Sequence, residues 1–214
     1  MPFETDVFIN CPFDDAFAPL LEALLFCVTY AGLTPRLATE RLEAGQNRLD
    51  KIFALARGAR FSVHDLSRCR SAEAGEFLRM NMPFELGLDL GIRRSDPELA
   101  AAKRFLVFER DPYDTKRALS DLAGQDVEWH RNQPDEIIRK TRDFLRVEAE
   151  RDLPGAARIG ADYVTFQEWM VEKKLSEGHS ERDALRLPTR ERLEEMRAWM
   201  AAGRPAQWRP GGGA

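Results

Sequence analysis

The chain predicts an α/β protein with an open five-stranded parallel sheet covered by helices on both faces. Two observations carry this. Short apolar runs rich in β-branched and aromatic residues recur five times, and amphipathic stretches of helical period lie between them. A third sets the scale: 214 residues at 43% hydrophobic composition can bury a core and carry an appendage.

Asp6-Val-Phe-Ile-Asn10 reads as a buried strand ending in the loop Cys-Pro-Phe-Asp-Asp. Ala16 to Tyr30 repeats apolar residues at helical spacing, and Gly32 is placed to end that helix. Leu33 to Ala38 is the second strand candidate. Leu49, Ile52, Phe53 and Ala56 mark a helix over 45–57 that stops at Gly58. Arg60-Phe-Ser-Val-His-Asp-Leu-Ser67 is a third strand ending in polar residues, followed by a loop near 72–78.

The next stretch, Arg79-Met-Asn-Met-Pro-Phe-Glu-Leu-Gly-Leu-Asp-Leu-Gly91, reads as a helix start. Asn81 is suited to cap it, and Pro83 fits a first turn that lacks backbone acceptors. Glu85 would then lie in that first turn, where the helix dipole favours an ionised carboxylate. Gly87 and Gly91 share a face, and a mid-helix glycine costs about 1 kcal/mol against alanine, so the pair predicts close packing against a sheet or a ligand. Arg104 to Glu109 is the strongest strand. A short helix over Tyr113–Leu122, an edge strand at Val127–Trp129 and a helix over Pro134–Glu150 complete residues 1–150.

Beyond Asp152-Leu-Pro-Gly the composition changes, and residues 151–214 read as a helical extension. Two helices are expected within 162–202, the first capped by Thr165 in a capping box with Glu168 and the second capped by Thr189. Trp169 and Trp199 read as packing anchors against the sheet domain or a second subunit, so a homo-oligomer stays open. The stretch 209–214 is expected to be a disordered tail.

Charge and motifs exclude several classes. Residues 1–150 carry 21 Lys+Arg against 26 Asp+Glu, and the remainder carries 11 against 10. Neither part is a basic platform, which argues against duplex nucleic acid as a partner. No apolar run reaches the roughly 18 residues of a membrane span, and Met-Pro-Phe-Glu-Thr-Asp is no signal peptide, so a cytoplasmic protein without a membrane partner is expected. Cys11, Cys27 and Cys69 have neither disulfide-framework nor zinc spacing. Phosphate-loop, dinucleotide-fingerprint and nucleophile-elbow patterns are missing, and no metal or cofactor is expected.

In open parallel sheets ligands bind at the carboxyl ends of the strands. Those ends bring Asn10 and Asp14, then Asp65 and Ser67, then Asp111 and Tyr113 toward the start of the Glu85 helix with Asn81. His64 alternates with Asp65 along the strand and reads as a buried structural histidine.

In order and spacing, Val7-Phe-Ile-Asn10, Val63-His-Asp-Leu-Ser67 and Phe84-Glu-Leu-Gly-Leu-Asp-Leu-Gly91 resemble the nucleoside 2-deoxyribosyltransferase-like superfamily and, more distantly, TIR domains that cleave NAD. The resemblance covers about residues 5–146. It implies a flavodoxin-like or TIR-like three-layer sandwich that acts on a nucleoside, nucleotide or NAD-like molecule, in the manner of a bacterial defence effector. It further implies that Glu85 attacks or stabilises the sugar C1′ and that Asp65 lies among the residues holding sugar or base. Asn10 and Asp14 are suited to ribose hydroxyls or a base edge, with Ser67, Asn81 and Tyr113 completing the candidate binding set. Arg79, Asn81 and Met82 stand where the family's partner acid would precede the glutamate, and Leu122–His130 matches nothing in the transferases. Hydrolysis, transfer, nucleotide sensing without catalysis and TIR-like assembly therefore remain open.

Overall fold

The computed structural model describes residues 3–40, 45–70, 78–122 and 124–209. Its elements are β1 (Asp6–Asn10), α1 (Ala18–Tyr30), β2 (Thr34–Arg36), α2 (Arg48–Arg57), β3 (Phe61–Asp65), α3 (Asn81–Ser95), α4 (Pro97–Ala102), β4 (Arg104–Glu109), α5 (Asp114–Ala118), β5 (Glu128–Trp129), α6 (Pro134–Glu148), α7 (Ala156–Ser176), α8 (Glu181–Ala184) and α9 (Thr189–Ala201). The five strands form one sheet in the order β2-β1-β3-β4-β5, and every pairing is parallel. After β2 the chain crosses to the far side of β1 to lay down β3. In open parallel sheets ligands bind at such a reversal, here the carboxyl ends of β1 and β3.

Strand alternation sorts the side chains. Val7, Ile9, Val63, Leu106 and Phe108 share one apolar cluster with α1 and α6, whereas Phe8 packs with Ile52, Ala56 and Ile92 of α2 and α3 on the opposite face. Gly32, at φ +70°, turns α1 into β2 as its position predicts. The first face carries another layer. Phe26 of α1 lies 5.5 Å from the Phe166 ring of α7 and 5.8 Å from Trp199 of α9. Tyr30 Oη donates to Asp162 Oδ2 at 2.9 Å, tying α1 to α7 by a polar contact as well. Trp169 and Trp199 are therefore anchors within this chain's own core.

Several local expectations are corrected. Gly155, not Thr165, precedes α7; Thr165 sits inside the helix with its hydroxyl bonded to Ala161 O, so the Thr165/Glu168 capping box does not form. The Pro154-Gly155 break sets this start. Pro188 holds the position before α9, and Thr189 makes no side-chain cap. Met80 likewise precedes α3, Asn81 is its first residue without a capping bond, and the first turn contains no acid. Gly87 and Gly91 turn outward, where a Cβ atom would meet nothing within 4 Å. Leu49 and Phe53 are also exposed, and Leu55 takes the buried place on α2. Among the described residues no helix is long and apolar enough to cross a membrane. Apart from Leu78, the loop expected near 72–78 lies outside the described residues, and so does the tail apart from Arg209.

Candidate functional site

Asn10 closes β1 and is buried. Its amide donates to His64 Nδ1 at 2.9 Å and to the Met82 carbonyl at 2.9 Å, which pins the start of α3 against the sheet. His64 Nε2 reaches Asp89 Oδ2 at 3.1 Å, and Asp89 Oδ1 lies 3.0 Å from Lys103 Nζ. Lys103 in turn donates to the carbonyls of Ala56 (2.6 Å) and Ala59 (2.7 Å), at the end of α2. Because Nδ1 accepts from Asn10, the neutral ring carries its proton on Nε2. Burial pushes the Asp89 carboxyl up, but His64 and Lys103 together outweigh it, so its pKa ends below the usual range.

The other rim carboxylates have different partners. Asp14 accepts from the backbone of Phe17 at 3.0 Å and is gripped by Arg68 through Nη2 (2.7 Å) and Nε (3.2 Å), with Arg79 at 3.4 Å. The Arg68 hydrogen bonds hold its pKa below the ordinary value. Asp65 faces the α6 side, opposite His64. Its Oδ1 accepts from the Ser67 amide at 2.9 Å, and its Oδ2 lies 3.0 Å from His130 Nε2 without hydrogen-bond alignment. His130 Nδ1 accepts from Asn132 N at 3.0 Å, which fixes the ring from that side.

Glu85 is one turn into α3 and 7% exposed. Arg48, the first residue of α2, approaches its Oε1 at 3.8 Å. Among the described residues the carboxylate has no hydrogen bond. The helix-dipole argument for an ionised Glu85 is thus replaced: burial raises its pKa, and the Arg48 charge opposes that rise. Cys11 joins the carboxylates electrically. Burial first, then the charges of Asp65, Glu85 and Asp14, push its thiol well above its usual range, so it stays protonated and inert as a nucleophile.

The remaining expected residues are dispersed. Ser67 is buried with its hydroxyl unpaired among the described residues, while Asn81 is exposed at the start of α3. Tyr113 stands 67% exposed beyond β4 in a left-handed conformation, φ +70°. Buried Glu109 fixes that turn by accepting from the backbones of Tyr113 and Thr115, both at 2.7 Å. Asp111 pairs with Arg110 at 2.8 Å.

Sequence reasoning missed Arg48, Arg68, Asp89, Lys103 and Glu109. Asp89 had a signal, since it follows Glu85 by four residues and shares its helix face. A buried lysine such as Lys103 has none. Among the described residues no cluster of His, Cys, Asp and Glu is arranged to hold a metal. Comparison with protein-family models, curated proteins and solved structures yields no match.

Proposed function

We propose that the protein is an N-glycosidase or glycosyltransferase acting on a nucleoside, nucleotide or NAD-like substrate through the Glu85 carboxylate. One observation carries the reading: near the end of β1, where the strand order reverses, Glu85 is held nearly buried without a hydrogen bond among the described residues, while Asp14 and Asp65 are engaged. Cleaving an N-glycosidic bond develops oxocarbenium character at C1′, and an ionised carboxylate beside that carbon stabilises or traps it. Burial raises the Glu85 pKa, and the Arg48 charge 3.8 Å away opposes that rise and favours the ionised form. The strand order also supports the flavodoxin-like or TIR-like reading of the fold.

The test is incubation of the purified protein with ribonucleosides, deoxynucleosides, nucleotides and NAD, with released base read by chromatography. Base release is expected, and its rate should fall on acidification with a midpoint above 4.5, because burial raises the pKa of the group that must be ionised. A second reading, a nucleotide-binding sensor, is favoured by the engagement of Asp14 and Asp65, which leaves Glu85, among the described residues, without a free neighbouring acid to protonate a leaving base. Saturable binding without base release would select that reading.

A further inference from the structure

Among the described residues, no helix covers the outer surface of α2 and α3 as α7 and α9 cover α1. Five large apolar side chains, Leu49, Phe53, Leu78, Met80 and Phe84, stand between 43% and 60% exposed there. Leu49 and Phe53 are on α2, Met80 and Phe84 at the start of α3, and Leu78 just before it. Arg48 pairs with Glu85 at the N-terminal ends of the two helices and Arg57 with Asp96 at 3.7 Å near their C-terminal ends, so α2 and α3 run side by side in the same direction. Leu49 and Phe84 neighbour the first of these pairs, and Phe84 N bonds to Met80 O one turn back.

Scaled by exposure, these side chains leave on the order of 500 Å² of mostly apolar surface. That is the apolar centre of a standard interface of about 800 Å² per partner. Gly87 and Gly91 continue the Phe84 stripe along the outside of α3, each with open space where a Cβ would stand. Two mid-helix glycines, each destabilising relative to alanine, thus have no packing reason among the described residues.

We infer that a second copy of this chain docks on this face, α3 against α3 in antiparallel fashion about a two-fold axis. The surface is self-complementary, as such an interface requires. An axis midway between Phe84 and Gly91, close to the middle of Asn81–Ser95, sets the Phe84 ring of each copy into the recess at Gly91 of the other. Charges agree with this direction. Arg94 is exposed at the C-terminal end of α3 and Asp50 near the N-terminal end of α2, and among the described residues neither has an ion-pair partner. Antiparallel docking carries each Arg94 toward the end that holds Asp50, and it opposes the two helix dipoles. The inference does not depend on any activity of Glu85.

Sedimentation equilibrium on the full chain tests it. The wild type should be a dimer, and Phe84→Glu and Gly91→Leu should each weaken it by at least about a hundredfold. Gly91→Leu separates docking from folding, since leucine favours the helix in an isolated chain and that variant should melt no lower than wild-type monomer. Arg94→Glu and Asp50→Arg should each weaken the dimer by about tenfold, and the double exchange should restore it. A wild type that stays monomeric up to about 100 μM, or a dimer indifferent to Phe84→Glu and Gly91→Leu, would overturn the inference. Failure of the double exchange to restore the dimer would overturn the antiparallel arrangement.

Discussion

The two faces of the sheet are held by different physics. On the α1/α6 side the interior is apolar and aromatic, and α7 and α9 add a second helical layer around Phe26, Phe166 and Trp199. On the α2/α3 side a chain of buried polar groups, Asn10, His64, Asp89 and Lys103, runs from the start of α3 to the end of α2 beneath a partly exposed apolar surface. Apolar packing tolerates changes of pH and supplies a fixed platform. The ionic chain ties together the two helices that bring Arg48 and Glu85 to each other, so the side bearing the proposed reactive group depends on charge balance.

The largest effect expected is on the apolar side. Trp199→Ala empties a fully buried site among Phe26 and Phe166 and should cost about 4–5 kcal/mol in denaturant unfolding, with little dependence on pH. On the other side, Asp89→Asn leaves the Lys103 ammonium buried without its counter-charge and should cost about 3 kcal/mol near neutral pH. Burial lowers the Lys103 pKa even with Asp89 present, so the folded variant releases that proton before the unfolded chain does. The penalty should therefore shrink as pH rises toward 10.5. Equal pH dependence in the two variants would remove the contrast between the faces.

The alternation of strand and helix was legible because period and punctuation are local. Arg104–Glu109 and the stop at Gly32 are observed where the sequence places them. Caps were less legible. Asn81, Thr165 and Thr189 all have suitable side chains, yet Met80, Gly155 and Pro188 hold the cap positions, since neighbouring backbone breaks and burial decide where a helix begins. Gly87 and Gly91 identified a shared face but not its direction, which depends on where the opposite stripe is buried. The engagement of Asp14 by Arg68 and of Asp65 by His130 joins residues 54 and 65 positions apart, and no local pattern records such pairings.

A smaller effect sharpens the comparison at the rim. Asp14→Ala removes the Arg68 grip and the bond to Phe17 N ahead of α1 and should cost about 1–2 kcal/mol. Arg68 holds the Asp14 pKa below 3.8, so this contribution is present above that value and disappears as pH falls through the lower folded pKa. Stability curves for wild type and variant should thus converge in strong acid. Parallel curves down to that limit would show that the Arg68 contact adds no charge-dependent stability.

Glu85→Gln bears most directly on the proposed chemistry. It keeps the size of the side chain and deletes the charge that burial already disfavours, so the variant should fold at least as stably as wild type at neutral pH. Turnover on whichever nucleoside, nucleotide or NAD-like compound the wild type cleaves should fall by at least about a hundredfold, equivalent to about 2.7 kcal/mol of lost transition-state stabilisation. Base release at the wild-type rate by a folded Glu85→Gln protein would contradict the assignment of Glu85 as the reactive carboxylate.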